Sequence, residues 1–153
     1  YKKIPYIIEV IRLSDNLTRE QRSKTMRAIK SRSQLESRVS KALWRDGYRF
    51  RKNDKSLIGK PDISIKKYKI VIFIDSCFWH GCPLHGNMPK SNREYWEKKL
   101  SRNKERDQQV NEYYKEIGWS YLRVWEHELK QNFDQTVEKI KHFIDQAKRK
   151  QNA

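Results

Sequence analysis

The segment Ile70-Val71-Ile72-Phe73-Ile74 is the most apolar, strand-like stretch of a chain in which only 36% of residues are hydrophobic and 35% are charged. With so little apolar material the core has to be economical and the surface heavily solvated. The strand runs almost directly into Cys77-Phe78-Trp79-His80-Gly81-Cys82-Pro83-Leu84-His85, which holds both cysteines and two of the four histidines of the chain. A strand that ends in this much ligand chemistry reads as a site built on a rigid edge.

The flanking segments supply the strand's partners. Pro61-Asp62-Ile63-Ser64-Ile65 precedes Tyr68 to Asp75, and the polar Lys66-Lys67 between them predicts an antiparallel hairpin. Tyr48-Arg49-Phe50-Arg51 alternates apolar and basic residues as a half-exposed strand would, and Trp119 to Trp125 alternates strictly. Ser33-Gln34-Leu35-Glu36 has the form of a capping box opening a helix. Leu35, Val39, Ala42 and Leu43 form its apolar face, and Gly47 stops it. Residues 18–31 read as a separate, short basic helix on the surface. Residues 91–117 read as a helix broken near Asn103, and a last amphipathic helix starts near Asp134 with Val137, Ile140, Phe143 and Ile144 inward. The order helix, three strands, helix, strand, helix defines a small mixed α/β sheet with helices packed on it.

A chain of 153 residues is a single-domain length. Residues 1–16 read as a flexible or vector-derived extension: their apolar run is broken by Pro5 and Glu9 and no signal-cleavage site follows. That leaves 17–150 as one domain. Lys and Arg number 35 against 19 Asp and Glu, a net charge of +16. Such an excess points to a polyanionic partner. No stretch approaches the roughly 20 apolar residues of a membrane span, which favours nucleic acid. Two cysteines with histidines interleaved suit a reduced metal site in a cytoplasmic protein better than a disulfide.

Cys77, Cys82 and His85 are three ligands of the types zinc accepts in tetrahedral sites. For the fourth, His127, just past the last strand, is the best remaining donor, since His142 lies on a basic terminal helix, although spacing alone does not decide it. Asp62 and Asp75, on adjacent strands, are carboxylates that could hold Mg²⁺, a hard cation that prefers oxygen. Such an ion assists phosphodiester hydrolysis. Each aspartate also has an ordinary reading, as a turn residue after Pro61 or as a strand cap. Glu36 could reach the same site, although its capping-box position already accounts for it. His80, fixed beside a metal, is placed to act as a general base or to orient water. Phe78 and Trp79 could stack on or wedge between bases, or simply cover the metal site. For Trp96 a core position on the helix is the stronger reading.

Several motifs in one order carry a family resemblance. They are Arg22-Ser23-Lys24-Thr25-Met26-Arg27-Ala28-Ile29, Gly59-Lys60-Pro61-Asp62, the run from Cys77 to Pro83, Tyr95-Trp96, Asn103-x-x-Arg106-Asp107, and Gly118-Trp119 leading to Val124-Trp125-Glu126-His127-Glu128. From about Leu17 onward the chain resembles the very short patch repair (Vsr) DNA mismatch endonucleases. The resemblance implies a restriction-endonuclease-like α/β fold with a mixed sheet flanked by helices and a structural zinc site. It also implies a Mg²⁺-dependent nick 5′ to the mismatched thymine of a T·G pair. In those terms Asp62 is the Mg²⁺ ligand, joined by the backbone carbonyl of Ile74, and His80 is the catalytic histidine. Cys77, Cys82, His85 and His127 are the zinc ligands. Phe78, Trp79 and Trp96 are the aromatics that intercalate beside the mismatch, and Met26 and Arg27 are expected on the DNA. Asp75 stands where the family can have histidine, and His127 where it can have cysteine. The lysine of the wider restriction-enzyme motif is absent, since Asp75-Ser76-Cys77 follows the strand. The expected partners are mismatched duplex DNA and a repair protein that receives the nick. The enzyme is expected to be a monomer, in the bacterial cytoplasm and associated with the nucleoid. The rival readings are a restriction or homing-type nuclease cutting matched DNA, and a non-catalytic zinc module that binds DNA.

Overall fold

The computed structural model describes residues 18–77, 82, 84, 90 and 92–152. The expected extension, 1–16, lies outside them. The chain opens with α1, Arg19–Arg45, a single helix of 27 residues. Neither the two-helix reading nor the capping box at Ser33 holds. The segment has no Gly or Pro to break it, and the cap sits one pattern earlier. Thr18 Oγ1 accepts the N–H of Gln21 at 3.2 Å, and Gln21 Oε1 accepts the N–H of Thr18 at 3.0 Å. Only the second half of α1 has a core face, where Leu35, Val39 and Leu43 are buried at helical spacing. The first half exposes Arg19, Arg22, Lys24, Arg27 and Lys30. The helix closes as expected at Gly47, whose φ of 92° suits a residue without Cβ. The N–H groups of Gly47 and Tyr48 return to the carbonyls of Trp44 and Leu43, the paired bonds of a Schellman ending.

Four strands form one sheet in the order β1-β2-β3-β4: β1 Arg51–Lys52, β2 Ile63–Ile65, β3 Ile70–Asp75 and β4 Ser120–Trp125. β1 and β3 run antiparallel to β2, and β4 runs parallel to β3. The hairpin between β2 and β3 forms as expected, although a 3-10 turn at Lys66–Tyr68 closes it and not a two-residue turn. β1 starts later than the alternation at Tyr48 implied. Tertiary contacts draw Tyr48 off the ladder: its hydroxyl donates to the Asp145 carboxylate at 3.0 Å, and its ring packs on the main core.

All six residues of β3 are buried. Ile70, Ile72 and Ile74 face Leu35, Val39 and Leu43 of α1 and the apolar side of α4, Phe133–Asn152. Val71 and Phe73 face Val110 and Tyr114 of α2, Arg93–Glu116. Each such side chain contributes roughly 1.5–3 kcal/mol of burial, so β3 and its two covering layers hold the domain together. α2 is the crossover that a parallel β3–β4 pair requires. It is continuous through Asn103, which is 8% exposed and packs within the helix layer instead of breaking it. One element was not expected: a short helix, α3, Glu126–Gln131, directly after β4.

Candidate active site and metal centre

Two clusters stand at the ends of the central strands. The first is built on Asp62, 7% exposed, one residue before β2. Its Oδ2 accepts the N–H of Ile74 at 2.7 Å, and its Oδ1 accepts a guanidinium N–H of Arg32 at 3.2 Å. Arg32 also pairs through Nε with Glu36 Oε1 at 3.0 Å. The two sit four residues apart on α1, so one turn of helix presents both to the aspartate. Glu36 is therefore not a cap but part of this carboxylate pair. Its carboxyl is pushed up to about 8, first by burial and then by repulsion from and hydrogen bonding to Asp62, while Arg32 and Lys52 pull the other way.

The backbone of Ile74 completes this corner. In an antiparallel ladder the N–H and C=O of one residue point to the same neighbouring strand. With the N–H of Ile74 on Asp62, its carbonyl faces the same side. The register of β2 on β3 pairs Ile63 with Ile72, which puts Pro61 opposite Ile74, and proline has no N–H to give that carbonyl. The corner thus gathers oxygen donors beside a buried carboxylate, the donor set of a hard divalent cation.

Asp75 takes a different partner. Its Oδ1 accepts from Arg123 of β4 at 2.8 Å, and Arg123 also reaches Asn111 Oδ1 at 2.7 Å and lies 3.6 Å from Asp107 of α2. The Arg123 guanidinium lies 4.2 Å from the centre of the Phe73 ring. This set ties the end of β3 to β4 and to the crossover helix.

The second cluster is Cys77, Cys82 and His127, whose ligand atoms all lie within 4.8 Å of one another. Cys77 Sγ is 3.3 Å and Cys82 Sγ 3.5 Å from His127 Nδ1. Ligands around a tetrahedral ion with Zn–S and Zn–N bonds of ordinary length stand about 3.6 Å apart, so the donor set and its spacing fit such an ion. The strands explain why His127 is one of them. β3 and β4 are parallel with Asp75 level with Trp125, so Cys77 and His127, each two residues further on, leave the sheet side by side. Burial pushes the Cys77 thiol up to about 11, with the neighbouring Cys82 adding to the rise. A bound cation would be needed to hold it as thiolate.

Phe78, Trp79, His80 and His85 lie outside the described residues. Met26 is 62% exposed on the basic half of α1, and Arg27 beside it is also exposed. Trp96, expected among the intercalating aromatics, is 1% exposed in the chain without DNA. It falls on the buried side of α2 with Leu100, Val110 and Tyr114, leaving Tyr95 as the partly exposed ring. Sequence reasoning missed Arg32, Arg123 and Lys52. For Arg32 the signal was its four-residue spacing from Glu36.

A buried Asp62 at the foot of β2, paired through Arg32 with Glu36 of α1, together with a Cys–His cluster of metal-ligand spacing in a strongly basic α/β domain, has the make-up of a hydrolase acting on nucleic acid. Residues 14–85 match the family of the DNA mismatch endonuclease Vsr. The type II nicking enzyme V.NmeDIP of Neisseria meningitidis serogroup C is 41% identical over 133 residues, covering 85% of this chain and 90% of that protein. The type II nicking enzyme V.NaeI of Lentzea aerocolonigenes is 42% identical over 130 residues, 81% of this chain and 78% of its own. The DNA mismatch endonuclease Vsr of Escherichia coli K12 is 42% identical over 108 residues, 69% of each chain. The chain belongs to the Vsr family and is an endodeoxyribonuclease. Its four-stranded mixed sheet flanked by helices is consistent with that family's nuclease fold. A non-catalytic binding module is thereby set aside. No helix among the described residues is long and apolar enough to cross a membrane.

Proposed function

We propose that this endonuclease nicks one strand of duplex DNA 5′ to the thymine of a T·G mismatch, in a reaction that requires Mg²⁺. The observation that carries the chemistry is the Asp62 corner, where a buried carboxylate adjoins the Ile74 backbone and, through Arg32, a second carboxyl on Glu36. Asp62 and the Ile74 carbonyl would hold the ion. When bound, Mg²⁺ supplies positive charge that polarises the phosphate and makes water a better nucleophile. Arg32 holds Asp62 and Glu36 in place and offsets their repulsion. His80 moves a proton to or from the reacting oxygens. Asp75, paired with Arg123, steadies the end of β3 from which the loop carrying His80 departs.

Zinc is the ion best suited to the second cluster, with Cys77, Cys82, His127 and, as the fourth ligand, His85. Four protein ligands would close the coordination of such an ion, which would then be structural, and these residues would pin the loop that carries Phe78, Trp79 and His80. Those two aromatics wedge beside the mismatch, where a weak pair opens at low cost. Met26, Arg27 and the basic half of α1 contact the duplex, its cations neutralising phosphates. The relatives' names speak of mismatch and of nicking, which favours a single-strand cut over cleavage of both strands. The domain, 17–150, acts as a monomer in the bacterial cytoplasm, on the nucleoid, and passes its nick to a repair protein.

Single-turnover nicking of a T·G duplex in Mg²⁺ by wild type, Asp62→Asn and His80→Ala tests this assignment. A loss of at least about a hundredfold in each variant is expected. Wild-type rates in either variant would refute it.

A further inference from the structure

We infer that the shallow groove between the C-terminal half of α1 and β1 is a second DNA-binding site, which takes the strand running on from the scissile phosphate. The inference rests on the nuclease reading above. The groove, about 340 Å³, is lined by Ser40, Lys41, Trp44, Arg45, Phe50 and Lys52. Trp44 is 52% exposed, an unusual position for the largest aromatic side chain. It is nevertheless held in place. The Arg49 guanidinium lies 3.8 Å from the centre of the indole ring and donates to the carbonyls of Trp44 and Tyr48 at 3.0 and 3.1 Å. Phe50 meets the indole edge-on at 6.1 Å. A fixed aromatic ring, partly open to solvent and rimmed by cations, has the chemistry of a platform for stacking bases.

Charge selects the occupant. Lys41, Arg45 and Lys52 are all exposed around the groove. They favour a polyanion and oppose a second copy of a chain that carries +16. Continuity points the same way. Glu36, Ser40 and Trp44 follow one another at four-residue steps along one face of α1, and the Ser40 hydroxyl donates to the Glu36 carbonyl at 2.9 Å. Lys52, on the groove's other wall, is near enough to Glu36 to act on its carboxyl. Eight helical residues span about 12 Å, the axial length of three to four nucleotides at about 3.4 Å each. The groove therefore meets one arm of the duplex, beyond the nucleotides at the carboxylate corner.

The test is steady-state nicking of T·G duplexes in Mg²⁺ by wild type, Trp44→Ala and Trp44→Phe. The substrates are a long duplex and two versions truncated to about two base pairs beyond the nick on one side or the other. On the long duplex Trp44→Ala should raise KM by about five- to a hundredfold, the worth of one stacked base. Trp44→Phe should keep most of the affinity. The difference should vanish on one truncated substrate only. Independently, Lys41→Gln with Arg45→Gln should lower the slope of log Kd against log salt by about two. An unchanged KM in Trp44→Ala would overturn the inference, as would a defect that persists on both truncated duplexes, which marks a structural role. So would a change in oligomeric state without a change in KM. If wild type nicked none of the duplexes, the nuclease reading itself would fall instead.

Discussion

Replacing Glu36 by glutamine should remove a pH dependence from the stability of the fold. The carboxyl lies near 8 in the folded protein against 4.5 for the free side chain. Between those values the folded state keeps a proton that the unfolded chain has lost. Stability therefore falls as pH rises through this window, and the loss is complete above the folded value. The shift corresponds to at most about 5 kcal/mol. The 20% exposure of the Glu36 side chain lets solvent screen the interaction and reduces what a measurement would register, so about 2–3 kcal/mol is expected. Glutamine keeps an acceptor for Arg32 and a donor for Asp62 while losing the titrating group. Urea unfolding in metal-free buffer from about pH 5 to about pH 8 is the assay. Wild type should lose stability relative to Glu36→Gln across that range, most steeply midway between the two values and levelling off toward the upper end. Parallel curves for the two proteins would show that Glu36 does not hold a proton against Asp62, and the account of the carboxylate corner would fail with it.

Three further outcomes follow from other parts of the fold. Arg123→Ala should destabilise by about 3 kcal/mol in urea unfolding, because it takes the ion-pair partner from an Asp75 carboxylate that is 7% exposed. A strong chelator should lower the wild-type Tm. It should leave Cys82→Ala, which lacks one of the three converging ligands, with little further change. Gly59→Ala should cost more than about 1 kcal/mol by thermal or urea unfolding: the backbone there has φ +79°, and an added Cβ would stand 2.8 Å from Val110 Cγ1.

Much of the architecture is legible in the chain because its signals are local. β3 announces itself as a continuous apolar run, and the hairpin and the Gly47 stop follow from turn and cap chemistry. The single α1 was hidden because two segments both satisfy a capping pattern, and only the absence of a breaker between them decides which one opens the helix. Asn103 read as a break because a polar residue in a helix usually faces water, whereas this one is packed inside. Cys77 and Cys82 were legible from their spacing. His127 could be named only as the best remaining donor and through the family resemblance, since what brings it to them is the parallel register of β3 and β4, a long-range fact. Arg32 and Arg123 escaped notice among 35 basic residues, where sequence offers little to separate a cation that braces a buried carboxylate from one that faces solvent. At Trp96 two signals differ: its motif resembles one that meets DNA, while its helical phase places the ring against the core.

The most direct test is cleavage of a panel of duplexes, matched and carrying each mismatch, by wild-type enzyme in Mg²⁺ and read at nucleotide resolution on both strands. The account predicts one nick, 5′ to the thymine of the T·G pair, on one strand only and lost when Mg²⁺ is chelated. Equal cutting of matched duplexes, or paired cuts on both strands, would contradict it.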